Sequence, residues 1–292
     1  MTERPASPRI NVPRGLADRA REFVAGGLAP AVPRDAATVI LIRQASGVEV
    51  FLLRRTRALE FAPGACVFPG GSVDERDADP AAIAETGWVG PSPADLGDLL
   101  GISPDRARAL VCAAVRETFV ESGVLLAGPS PAEVWAEADS AAVIQDRHAL
   151  LAGSVALGEL LRRRGLMLRA DLLTPWAHWI TPEASPRRFD TWFFAAALPA
   201  GQTAALGGQS SRGEGESDSG TWWRPSAALE AARAGEITLL PPTAVTLAEL
   251  TAHQDIAGIL AERRVITPLL PTVVVEEQRA WLTMPQGIEY PL

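Results

Sequence analysis

Lysine is absent from this 292-residue chain, and all 27 of its basic residues are arginine. That absence excludes every chemistry needing an ε-amine: a Schiff base, a P-loop lysine, or a kinase strand lysine. Cysteine is almost as scarce. Cys66 and Cys112 are too few to frame a chain of this size with disulfides, and both read as reduced thiols. The three histidines, His148, His178 and His253, lie far apart and show no zinc-ligand spacing. No apolar run approaches the roughly 18–20 residues of a membrane span, and the N-terminus lacks the apolar core of a secretory signal. The expectation is a soluble, cytoplasmic protein with no membrane partner. Excess positive charge is also missing: the net charge is −8, so there is no surplus to neutralise a phosphate backbone, and no nucleic-acid partner is expected. A small anionic ligand in a local site remains compatible with that charge.

What is present is globular in kind. The composition is 47% hydrophobic and 21% charged, enough to bury a full core. Residues 1–34 are rich in Pro and Arg; they read as a partly mobile N-terminal arm with a short helix near Ala17–Ala25. Ala37–Ile42 and Val48–Leu53, joined by Ala45-Ser46-Gly47, read as a hairpin, followed by a glycine- and proline-punctuated loop over Phe61–Gly71. Leu110–Ser122 has apolar residues at helical spacing and Gly123 as its stop. Leu125-Leu126 suggests a short strand, and helical patterns run over Pro131–Gly153 and Val155–Arg164. Trp176–Ile180 and Phe189–Leu198 form another predicted strand pair. Gly201–Gly220 is loop-like, and three helices follow at Pro225–Ala234, Pro242–His253 and Asp255–Arg264, then a hairpin of Thr272–Val275 with Ala280–Thr283. Strand and helix signals interleave, which makes the class α/β or α+β.

The chemistry concentrates in Arg116-Glu117-Thr118-Phe119-Val120-Glu121-Ser122-Gly123-Val124, taken with Gly70-Gly71 upstream. Glu117 and Glu121 are four apart and share one helix face. Alone, such a pair is usually a solvated face and stabilises nothing. A divalent cation reverses the sign of their mutual effect, because hard cations take a few carboxylate oxygens, several waters and substrate phosphate oxygens. Gly70-Gly71 permits close backbone approach, where a carbonyl can serve as a further ligand.

The wider pattern resembles the Nudix hydrolase signature, G-x5-E-x7-R-E-U-x-E-E-x-G-U, with U a bulky aliphatic residue. Gly71 matches the first glycine, Asp77 stands at the first glutamate, and Arg116, Glu117, Glu121, Gly123 and Val124 match the second half. Val120 stands where the signature has a glutamate, which removes one carboxylate. About 38 residues, rather than seven, separate Asp77 from Arg116. An insertion there is a feature of the branch containing the peroxisomal coenzyme A diphosphatases and their bacterial relatives. Phe68–Asp74, Arg187–Phe194, Trp222–Pro225 and Ile237–Thr243 are also similar to that branch.

The resemblance implies a Nudix fold: a mixed β-sheet sandwiched between helices, a helical insertion inside the box at about 78–109, and extra C-terminal helices, all in a single domain over 35–292. It implies Mg²⁺ or Mn²⁺ bound by Glu117, Glu121, the Gly70 carbonyl and a late loop glutamate. Among Glu214, Glu216 and Asp218, Glu216 is favoured by its distance from Trp222. Arg116 would orient a glutamate rather than touch substrate, since its fork suits a carboxylate. The attacking water's base is left open among Glu121, Glu117 and a loop glutamate.

The implied reaction is hydrolysis of a nucleotide-linked diphosphate, with coenzyme A or an acyl-CoA as the leading substrate and ADP-ribose or NADH as alternatives. In the branch's coenzyme A motif Leu52, Arg55, Gly64 and Phe68–Gly71 fit, whereas Phe51, Leu53 and Thr56 depart and Glu60 replaces an arginine. Arg55, Arg57 and Gly71 are therefore the expected substrate contacts, with Arg54 beside them. A catalytically silent Nudix-fold protein that binds a nucleotide or a partner is the alternative function. Monomer and homodimer both remain open.

Overall fold

The structure, a computed structural model, describes residues 9–12, 14–56, 63–79, 81, 83, 86–136, 141–205, 217–276 and 279–292. Its strands are β1 (Arg9–Asn11), β2 (Arg34–Gln44), β3 (Val48–Arg55), β4 (Ala65–Val67), β5 (Gly70–Ser72), β6 (Trp88–Val89), β7 (Ala127–Gly128), β8 (Met167–Arg169), β9 (Thr174–Ile180), β10 (Phe189–Ala197), β11 (Ser217–Trp223), β12 (Thr238–Leu239), β13 (Pro268–Leu269), β14 (Thr272–Glu276) and β15 (Arg279–Thr283). Its helices are α1 (Arg14–Val24), α2 (Pro93–Leu100), α3 (Pro104–Ser122), α4 (Ala141–Leu151), α5 (Leu157–Arg164), α6 (Pro225–Arg233), α7 (Pro241–Leu250) and α8 (Ile256–Ala261). None of the described helices is long and apolar enough to cross a membrane.

The centre is a mixed sheet ordered β12-β4-β3-β2-β10-β9-β13, with β11 also on β3 and β5 also on β2. β10 runs parallel to β2 from Phe189 opposite Arg34 to Ala197 opposite Ile42. Alternation along the strands sorts their side chains into two cores. Ala37, Val39 and Leu41 of β2, with Trp192, Phe194 and Ala196 of β10, face the cluster built by α3. Ile40 and Ile42, with Phe193 and Ala195, face the C-terminal helices through Leu229, Val245, Leu247, Leu250 and Ile259. The sheet is thus sandwiched between helices, as the Nudix resemblance implies. Each fully buried Leu, Ile or Phe contributes about 1.5–3 kcal/mol, so both faces are needed to hold the sheet.

α3 is the element that matters most for function. Ser103 caps it, accepting from the Arg106 N–H, and Pro104 fits the first turn because its missing N–H has no helical partner there. Gly123, at φ +77, ends it with an N–H donated to the Phe119 carbonyl. Ala107, Ala109, Leu110, Val111, Cys112, Ala113, Ala114 and Val115 are all buried, so the small alanines bring the helix close to the sheet. The helix begins six residues before the predicted Leu110, because the Ser103-Pro104 start signal sits inside a Pro- and Ser-rich stretch that reads as loop. Burial also silences the two thiols. Desolvation pushes Cys112 up to about 12 and raises Cys66 above its ordinary value.

Other departures from the sequence reading have local causes. The segment after Pro131 is not helical before α4: Trp135 donates its N–H to the Ala127 carbonyl, and Ser130 bridges Glu133. The strand expected at Leu125-Leu126 lies two residues later, as β7, where it meets β8. β11 starts at Ser217, inside the stretch read as loop. The N-terminal residues from Arg9 onward pack on the C-terminal hairpin: β1 pairs β15, and Ala17 and Ala20 of α1 pack with Ala280, Val273 and Val275.

Candidate active site

The site forms where one segment of chain changes partners. β3 pairs with β4 through Leu53–Val67 and Arg54–Cys66. Three residues on, β5 pairs with β2 through Thr38–Gly70, Ala37–Gly71 and Ala36–Ser72. The switch carries Gly70 and Gly71 against α3. A side chain on Gly70 would begin 2.5 Å from the Ala37 carbonyl oxygen and 2.6 Å from Thr38 Oγ1, so glycine is required there. A side chain on Gly71 would begin 2.5 Å from Glu117 Oε1, so this glycine leaves open a cradle that a carboxylate fills.

The structure brings Arg116, Glu117, Glu121, Gly70 and Gly71 together. The Gly70 N–H donates to Glu121 Oε2 at 2.8 Å, tying the last turn of α3 to the glycine strand. Arg116 donates Nη1 to Glu117 Oε1 at 2.7 Å and Nη2 to the Ser72 carbonyl at 2.9 Å. Its Nε lies 3.0 and 3.1 Å from the two Asp77 oxygens, and Nη2 reaches Asp77 Oδ2 at 2.7 Å. The fork is thus directed at protein groups: Asp77, Glu117 and the Ser72 carbonyl. Burial would lower the Arg116 pKa, but the hydrogen bonds and charges of Asp77 and Glu117 outweigh it and raise the value.

Asp77 explains its own departure from the signature. Its side chain is only 2% exposed, and it lies under the site as the anchor for Arg116 rather than facing solvent. Asp77 Oδ2 also accepts the Asp74 N–H at 2.9 Å. The Asp74 carboxyl is held below its ordinary pKa by hydrogen bonds from Arg76. A side chain one methylene shorter than Glu therefore reaches its partners in this setting. Val120 is partly buried and packs against the apolar cluster on this face of the sheet. No carboxylate replaces it among the described residues.

The remaining predicted residues are less central. Arg55 ends β3 in register with Ser217, on the strand face that also carries Phe51 and Leu53 toward α3. Asp218 is exposed on β11. Arg57, Glu60, Glu214 and Glu216 lie outside the described residues. Two contributors were invisible to the sequence reading. The Ser72 carbonyl has no side-chain signature at all. Arg147, on α4, donates Nη2 to the Val120 carbonyl at 2.8 Å, and nothing near it in sequence marks it.

Among the described residues, no group of three or more His, Cys, Asp or Glu side chains could by itself hold a metal ion. The set that is present consists of two carboxylates four apart on a helix and a glycine backbone beside them, with the Glu117 carboxylate seated against Gly71. This all-oxygen chemistry suits Mg²⁺ or Mn²⁺, which complete their shells with water and substrate oxygens.

The family model for the NUDT19 Nudix domain matches residues 94–250. The chain is 28% identical over 236 residues to acyl-coenzyme A diphosphatase NUDT19 of Xenopus laevis, covering 70% of this chain and 60% of that one. It is 30% identical over 222 residues to putative nudix hydrolase 7 of Caenorhabditis elegans, covering 76% and 62%. The chain therefore spans less than two thirds of these relatives' length. A crystal structure of a NUDIX hydrolase from Alicyclobacillus acidocaldarius is 26% identical, with a TM-score of 0.64 over 80% of this chain and 98% of that chain. With more than half of its length matched by that family model, the chain belongs to the NUDT19-type branch of the Nudix family.

Proposed function

We propose that this protein hydrolyses a nucleotide-linked diphosphate with Mg²⁺ or Mn²⁺, and that its substrate is coenzyme A or an acyl-CoA. The observation that carries the reading is the convergence of Glu117, Glu121 and Gly70-Gly71, with Arg116 fixing Glu117 from behind. The substrate class is supported by the relative in Xenopus laevis, an acyl-coenzyme A diphosphatase by its name.

Glu117, Glu121 and the Gly70 carbonyl would hold the cation, which supplies positive charge to phosphate oxygens and acidifies a bound water. Glu216 is a further proposed ligand. Its neighbour Ser217 pairs with Arg55, and Ala205, at the other end of that segment, donates its N–H to the Ser122 carbonyl at the end of α3. Arg55 and Arg57 would neutralise substrate phosphates, and Gly71 would allow the diphosphate to approach the backbone. In the reaction, a water oxygen bonds to one phosphorus, the bond to the bridging oxygen breaks, and the leaving phosphate keeps that oxygen. The water's proton passes to a carboxylate of the site. Two phosphomonoesters result, and positioning with electrostatic stabilisation carries most of the catalysis.

The test is product release from coenzyme A, acyl-CoAs, ADP-ribose and NADH, each with Mg²⁺, with Mn²⁺ and with chelator. Chelator-sensitive cleavage of coenzyme A or acyl-CoA is expected. Glu121→Gln should remove nearly all turnover while leaving the circular dichroism spectrum unchanged, and full activity in that variant would sink the assignment.

Val120 favours one alternative, a silent Nudix-fold binder. Under it the folded protein cleaves no panel member at saturating metal yet still binds a nucleotide. A large gain of rate in Val120→Glu would mark the present site as impaired.

A further inference from the structure

The last turn of α3 carries Glu121, and its carbonyls are held by three different partners. The Phe119 carbonyl accepts from the Gly123 N–H at 2.9 Å, and the Ser122 carbonyl accepts from the Ala205 N–H at 2.9 Å. The Val120 carbonyl accepts from Arg147 Nη2 at 2.8 Å. Arg147 is only 7% exposed, and its Nη1 lies 3.1 Å from where a side chain on Gly123 would begin. Gly123 sits in the left-handed region at φ +77, so its missing side chain serves the turn and also makes room for the guanidinium. A buried cation at this pole meets the partial negative charge of the helix C-terminus and satisfies a carbonyl that has no further turn to bond.

Val120 directly precedes Glu121, whose carboxylate accepts the Gly70 N–H. The metal-ligand candidate is therefore gripped twice: through its side chain by the glycine strand, and through its backbone neighbour by α4. We propose that Arg147 is a positioning residue for the metal site, holding the end of α3 so that the Glu121 carboxylate meets the cation beside Glu117. The proposal rests on the metal-site reading above.

Mn²⁺ affinity of the full chain, measured by calorimetric titration without substrate, tests it. Wild type should bind Mn²⁺, and Glu121→Gln should lose that binding. Arg147→Met, confirmed folded by circular dichroism, should weaken the Kd by about 10–100-fold, the usual cost of losing a group that orients a ligand. Arg147→Lys, which keeps the charge and one donor, should recover most of that loss. Arg169→Met is the control for a general loss of buried arginine. Arg169 is 6% exposed, and its side chain bonds Asp171 and the Glu133 carbonyl, neither of which belongs to the box. This control should lower Tm and leave the Kd within twofold.

An unchanged Kd in Arg147→Met overturns the proposal, as does an equal weakening in Arg169→Met. Should the methionine variant fail to fold, Arg147→Gln takes its place with the same expected weakening, and an unchanged Kd there overturns the proposal equally. Absence of Mn²⁺ binding in wild type, or binding that survives Glu121→Gln, instead defeats the metal-site reading, and the role of Arg147 falls with it.

Discussion

Arg106 and Arg116 stand ten residues apart on α3, and both tie that helix to carboxylates brought from elsewhere. Arg106 reaches Asp35 of β2 at 2.5 Å and Asp190 of β10 at 3.0 Å. Asp190 in turn bonds His178 Nε2, and the His178 ring stacks on Trp192 with centroids 4.0 Å apart and planes 13° from parallel. Arg116 reaches Asp77, the Ser72 carbonyl and Glu117. The first network fastens the helix to two strands and contains none of the residues assigned to the metal site. The second includes a proposed metal ligand and the strand that carries Gly71. The same guanidinium chemistry therefore serves architecture at one end of the helix and site geometry at the other.

Exchanging each arginine for lysine sharpens this comparison most. Lysine keeps the charge but loses the planar fork, which is not conservative at a bidentate carboxylate. Arg116→Lys should cut turnover and Mn²⁺ affinity by about 10–100-fold. It should also cost about 3 kcal/mol, since Asp77 is left buried with an imperfect partner. Arg106→Lys, at a partly exposed site, should cost about 1 kcal/mol and leave turnover per folded molecule within about twofold of wild type. Urea melts and kcat on the same preparations separate the two quantities. An equal loss of turnover in Arg106→Lys would break the comparison.

The contrast also marks what the sequence could tell. The strands and the box helix were legible, because the apolar runs Ala37–Ile42 and Phe189–Leu198 and the helical spacing in Leu110–Ser122 are local properties of the chain. Glu117, Glu121 and the glycine pair were legible through box spacing, despite the long interval that here holds β6, α2 and the first turns of α3. Long-range partners were not. An apolar run reveals a buried strand, not which face meets which core or which strand it pairs with, so the parallel pairing of β10 with β2 had no sequence signal. Asp77 read only as a residue one methylene shorter than the signature's first glutamate, and only folding shows it beneath Arg116. Arg147 lies in a helix whose own pattern says nothing about α3, and the Asp190–His178 contact joins two strands whose register must be known first.

A second comparison sets two glycines side by side. Gly71 has ordinary backbone but no room, since an added side chain would begin 2.5 Å from Glu117 Oε1. Gly101, the C-cap of α2, has φ +68 and open space around it. Gly71→Ala must displace the Glu117 carboxylate or the strand, and turnover should fall by about tenfold or more through misplacement of a ligand. Gly101→Ala pays only backbone strain, about 1 kcal/mol, and kcat should hold. Normal turnover in Gly71→Ala would show that the Glu117 carboxylate moves without consequence, and would weaken its assignment as a ligand.

The smallest expected effect concerns acid stability of the Arg106 network. Burial would raise the Asp190 carboxyl pKa, but the His178 hydrogen bond and charge, followed by those of Arg106, outweigh it and lower the value. A carboxyl lowered in the folded state contributes stability above its unfolded pKa of about 3.9, and that contribution is lost as pH falls through the folded value. Asp190→Asn should therefore cost about 1–2 kcal/mol near pH 7, and the gap to wild type should close as urea melts are carried below about pH 4. Turnover should be nearly unchanged, because Asp190 meets α3 through Arg106 rather than through the glutamates. A gap that persists undiminished at the lowest pH would assign the loss to packing around Trp192 and His178 instead of to the carboxylate charge, and would make the architectural network less electrostatic than its counterpart at Arg116.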